Sequence, residues 1–114
     1  MKSKLSILAL VLLAASGSAL ADAGDKFSDA YDKYSATLEE KGVDSQGQGE
    51  IYSALSTSAR KMIAMGSTCK DVSDASKIIV QNALTDNFTT SEMKDFSNDV
   101  GEMMRNFCIV EKQS

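Results

Sequence analysis

The chain has no histidine, no proline, no tryptophan and only two cysteines in 114 residues. Without histidine there is no imidazole to act as a general base near neutral pH or to ligate a transition metal. Serine–histidine and cysteine–histidine hydrolysis and histidine-bearing zinc sites are thereby excluded. Without proline, no residue interrupts a helix by removing an amide donor. Positive charge is also scarce, with 12 Lys and Arg against 16 Asp and Glu, a net charge of −4. Lys2 and Lys4 lie in an N-terminal segment that reads as removable, and their loss takes the balance from −4 to −6. A small acidic domain is repelled by nucleic-acid phosphates and anionic bilayers, so the expected partner is a basic protein.

The segment itself begins Met1-Lys2-Ser3-Lys4, continues as an apolar run from Leu5 to Ala15 and ends Ala19-Leu20-Ala21. A basic start, a short apolar stretch and small residues flanking the last position are the features of a secretory signal peptide. Residues 1–21 are read as that leader, cleaved before Asp22. The apolar run is shorter than the ~20 residues needed to span hydrocarbon, and no lipid-accepting cysteine follows it. The expected product is a periplasmic or secreted protein without membrane insertion. Residues 22–114 form its single helical domain, 93 residues of the 114 once the 21-residue leader is removed. That is near the size at which a core alone becomes marginal. The short basic start reads as a bacterial leader, and in a bacterial protein the match of Asn87-Phe88-Thr89 to a glycosylation acceptor carries no weight.

Hydrophobic spacing in the domain is helical throughout. Phe27, Ala30, Tyr31, Tyr34 and Leu38 form one stripe and predict a first helix over about 25–41, stopped at Gly42. Residues 42–49 hold three glycines and read as a flexible connection. Ile51, Leu55, Ser58, Met62 and Met65, widened by Ala54, Ala59 and Ile63, predict a second helix over 50–65, ended by Gly66. Thr68 with Asp71 starts a third, whose face carries Cys69, Val72, Ser76, Ile79 and Ala83. Thr89 with Glu92 is a capping box, and Phe88 is placed to staple onto Met93. Met93, Phe96, Val100, Met103 and Phe107 continue that fourth helix. The fold class is all-α, a small four-helix bundle of amphipathic helices.

Cys69 stands at the start of the third helix and Cys108 near the end of the fourth. The link between those helices is short, so they run antiparallel and bring the two sulfurs together. In an oxidising compartment they form a disulfide.

Four other patterns bear on chemistry. Met65 precedes Cys69 by four residues and Met104 precedes Cys108 by four, a soft-sulfur grouping that admits copper(I). Methionines filling space around a buried disulfide explain the same spacing more simply, so no metal and no cofactor are assigned. Ser58-Ala59-Arg60-Lys61 matches Ser-x-x-Lys, but the accompanying motifs of that hydrolase class are missing. Asp25, Asp29, Asp32 and Glu39 lie opposite the aromatic stripe and form a solvated face. Glu92, Asp95, Asp99 and Glu102 share a flank beside the apolar face of the fourth helix. An acidic flank next to apolar edges suits protein docking, although a solvated face has the same pattern. Nothing groups into a catalytic set, so the chain reads as non-enzymatic.

The leading expectation is a periplasmic inhibitor or immunity protein that neutralises a basic cell-wall hydrolase by protein–protein contact. It rests on the class of molecule and not on a motif. The alternatives are an acid- or stress-responsive chaperone, whose carboxylates neutralise and release apolar surface, and a sulfur-ligand copper binder. Assembly as a homodimer is compatible with all three.

Overall fold

A computed structural model describes the backbone of residues 2–113 and the side chains of residues 21–113. Four helices follow in order: α1 (Lys2–Glu40), α2 (Ser45–Ala64), α3 (Cys69–Ala83) and α4 (Thr90–Gln113). The leader read over residues 1–21 lies, apart from Ala21, outside the described side chains. The α1 helix begins upstream of the expected start near Asp25. The Ala- and Leu-rich sequence around Ala19–Ala23 favours helix and offers no stop signal. No helix among the described residues is long and apolar enough to cross a membrane.

Both glycine stops act through the left-handed backbone conformation. Gly42 has φ of 82° and Gly66 has φ of 85°, a region in which other residues are strained. At the first, the Val43 amide donates to the Leu38 carbonyl at 2.9 Å and the Gly42 amide to Glu39 at 3.0 Å. At the second, Ser67 donates to Met62 at 2.9 Å and Gly66 to Ile63 at 3.0 Å. Both are Schellman closures that satisfy carbonyls left open at a helix end.

The glycine-rich stretch differs from its sequence reading. Only Lys41 to Asp44 connect α1 and α2, and α2 starts at Ser45, five residues before the expected Glu50. Asp44 caps the helix, its carboxylate accepting from the Gly47 amide at 2.8 Å. Gln48 ties the first turn back to α1. Its amide nitrogen donates to Val43 O at 3.0 Å, its side-chain oxygen accepts from Ser35 Oγ at 2.8 Å, and its carbonyl accepts from Tyr34 OH at 3.0 Å. A Cβ on Gly47 would meet Val43 Cγ1 at 2.9 Å, so this glycine allows the capping turn to fold tightly.

The capping boxes of α3 and α4 form as read. Thr68 and Asp71 exchange side-chain to backbone bonds. The Thr89 amide donates to Glu92 Oε1 at 2.9 Å, and the Glu92 amide donates to Thr89 Oγ1 at 3.2 Å. Phe88 and Met93 both pack against the core.

The core joins Tyr34 and Leu38 of α1, Leu55 and Ala59 of α2, Val72 and Val80 of α3, and Phe96, Val100, Met103, Met104, Phe107 and Cys108 of α4. The α4 helix is the central element, buried on the sides facing α1 and α3. At Gly101 the side chains of α3 lie directly against the α4 backbone: an added Cβ would lie 2.5 Å from Lys77 Cε and 2.8 Å from Ser73 Oγ. Rings link α1, α2 and α4: Tyr31 meets Tyr52 edge-on at 5.3 Å, and Phe27 lies 6.1 Å from Phe107. The buried face of α3 is Val72, Ser73, Ser76 and Val80, followed by Leu84 at the C-cap, while Ala83 is exposed. Met65, placed on the α2 stripe by spacing, is 83% exposed. It sits at the C-cap, where the chain leaves the helix and the stripe no longer faces α3 and α4. Ala54 is also exposed.

Cys69 and Cys108 form the expected disulfide, with Cα atoms 5.4 Å apart and 39 residues of separation. It closes the end of the α3–α4 hairpin opposite the Thr85–Thr89 link.

Candidate protein-docking face

The four acids of the α4 flank do not share one environment. Two face α1, which packs along α4 in the opposite direction. Glu92 pairs with Lys41, and Asp99 pairs with Lys33 at 3.3 Å. Lys33, Thr37 and Lys41 recur every four residues and so occupy one edge of α1. Glu92 and Asp99, seven apart on α4, meet the two ends of that edge. The Lys41 ammonium also lies 5.6 Å from the centroid of the Phe88 ring, within cation–π range.

Glu92 therefore has two tasks, capping α4 and holding α1. The Lys41 ammonium and the Thr89 amide stabilise its ionised form and draw its pKa down to about 2. The Lys33–Asp99 pair is more open to water, and an exposed pair of this kind contributes little stability.

Asp95 is exposed and has no ion pair among the described residues. It lies between Glu92 and Asp99 on a shallow groove of about 210 Å³, bordered also by Thr37, Glu40, Lys41, Phe88 and Phe96. The Phe88 and Phe96 rings stack at 4.7 Å beneath it. Glu40, Glu92, Asp95 and Asp99 stand against Lys33 and Lys41, so this face keeps two more negative charges than positive ones.

Glu102 turns away. It accepts from Asn106 Nδ2 at 3.4 Å and lines a separate groove on the α3 side with Lys70, Ser73, Asp74, Lys77 and Arg105. At 100° per residue it belongs to the arc of Asp95, but the nearest neighbours differ because α3 and α1 pack on opposite sides of α4. Sequence reasoning missed Lys33, Glu40 and Lys41. The eight-residue spacing of Lys33 and Lys41 on one edge of α1, set against the seven-residue spacing of Glu92 and Asp99, was a usable signal for pairing of these helices.

The remaining sequence motifs fall elsewhere. Ser58 is half-buried, Lys61 is exposed, and no hydrogen bond joins them among the described residues. Cys69 and Cys108 are bonded to each other, Met104 is fully buried and Met65 is exposed. Among the described residues, no three His, Cys, Asp or Glu side chains gather as a metal site. Asp25, Asp29, Asp32 and Glu39 are all exposed. No protein-family model, no curated protein and no solved structure matches this chain.

Proposed function

We propose that the chain is an exported, non-catalytic inhibitor or immunity protein that caps a basic cell-wall hydrolase through the α1–α4 face. The observation that carries the reading is the unpaired Asp95 and its neighbour Glu40 at the mouth of a groove floored by stacked Phe88 and Phe96. Acids around an apolar strip complement a basic patch with a protruding side chain. The charges speed association, and the apolar contact sets residence time. Lys41 holds Glu92 in place beside Phe88, so this part of the surface is ordered before a partner arrives and loses little side-chain freedom on docking.

The structure changes which residues test this reading best. Reversing Asp99 to Lys would break its pair with Lys33, whereas Asp95→Lys and Glu40→Lys alter the face without disturbing an ion pair. Both variants slow association with the partner and weaken the dependence of that rate on salt. Unchanged kinetics in both would make the face a solvated surface only. If no secreted or cell-wall hydrolase is inhibited, protection of clients from aggregation across acidic pH tests the chaperone alternative.

A further inference from the structure

A second groove lies on the other side of α4, at the end of the α3–α4 hairpin near the Thr85–Thr89 link. Its volume is about 440 Å³, within the range of small-molecule sites. Phe88 and Met93, both half-buried, provide apolar surface. Lys77 and Lys94 flank it, Gln81 and Asn98 add amide donors, and none of the lining residues is acidic. That is unusual in a chain with 16 acidic residues. Neither lysine is in a salt bridge among the described residues, although other lysines pair with Asp22, Asp74, Glu92 and Asp99; Lys77 also feels Asp74, one turn away on α3, so Lys94 is the freer of the two cations.

We propose that this groove binds a single-chain amphiphile with an anionic head, of the alkyl carboxylate class. The head would lie between the Lys77 and Lys94 ammonium groups, and the chain would cover Phe88 and Met93. Lys77 is positioned for this by packing: its aliphatic stem crosses α4 at Gly101, where no side chain displaces it. A neutral apolar ligand would leave the Lys94 ammonium without a counter-charge, and a cationic one would be repelled by both lysines. This site is independent of the docking face, with which it shares only Phe88.

The test uses the mature, disulfide-bonded protein and decanoate below its micelle concentration, followed by amide chemical shifts. Decanol, decyltrimethylammonium and acetate are titrated in parallel. Decanoate should give saturable shifts centred on residues 85–98, with affinity at least tenfold above decanol. Decyltrimethylammonium and acetate should leave those amides unmoved. Lys94→Glu should weaken decanoate at least tenfold, while Lys61→Glu, an exposed change on α2, should leave it unchanged. Circular dichroism checks that both variants fold. Equal binding of decanol or the cationic amphiphile, shifts centred on another face, or an unaffected Lys94→Glu variant would each overturn the proposal.

Discussion

Reducing the Cys69–Cys108 bond should remove a large share of the stability of the folded domain. The bond spans 39 residues of sequence. Closing a loop of that length lowers the entropy of the unfolded chain by an amount worth about 4 kcal/mol at 25 °C in the chain-entropy model. A domain of this size has roughly 5–14 kcal/mol in total, so reduction removes between about a quarter and four-fifths of it. The bond joins the start of α3 to the last part of α4, and Cys108 is completely buried. Its loss therefore also frees the hairpin end against which Lys112 donates to Ser67 O at 2.9 Å. The assay is urea unfolding of the oxidised protein and of the Cys69→Ala/Cys108→Ala double variant. With slopes of about 1–3 kcal/mol/M, the midpoint should fall by roughly 1–4 M. The slope itself should rise, because an unfolded chain without the crosslink exposes more surface. A midpoint shift below about 0.5 M with an unchanged slope would refute the argument, since it would mean that the crosslink constrains little of the unfolded chain.

Three further outcomes follow from the packing and the charges. Gly101→Ala should destabilise the protein, because overpacking against Ser73 and Lys77 costs roughly 1–3 kcal/mol and outweighs the ~1 kcal/mol gained in helix propensity. Adding Ser73→Ala should recover part of the loss in the same urea assay. The folded Glu92 carboxyl titrates near 2, below its ordinary value. Its contribution is complete above about pH 4.5 and is lost as the pH falls towards 2. Unfolding midpoints across that window should decline more steeply in the wild type than in Glu92→Gln. Burial raises the pKa of Tyr34, and to a lesser degree Tyr52. Stability should therefore fall as the pH rises above about 10, where the unfolded tyrosines ionise first. Tyr34→Phe should flatten that decline in alkaline thermal melts.

The helices were legible where periodicity and caps agree. Thr68–Asp71 and Thr89–Glu92 are local signals, satisfied within four residues, and both caps formed as read. The disulfide was legible because two cysteines, one short link and antiparallel packing leave one arrangement. The start of α2 was not, because three glycines between 42 and 49 suggest a loop while the decisive contacts are tertiary. Gln48 is held by Ser35, Tyr34 and Val43, and no composition rule records that. Met65 fits the stripe by spacing but sits at the C-cap of α2, immediately before Gly66 turns the chain away. The acidic flank was legible as a set of four residues. Its division among Lys41, Lys33 and the α3 side depends on which helices pack on either side of α4, and periodicity within one helix does not carry that information.

The most direct test of the docking face is a photo-crosslinking residue at position 95, compared with one at exposed position 25 on the solvated side of α1. The proposed function predicts that position 95 crosslinks to a basic, secreted cell-wall hydrolase that the wild-type protein inhibits, and that position 25 does not. No hydrolase adduct at position 95, or equal crosslinking from both positions, would contradict it.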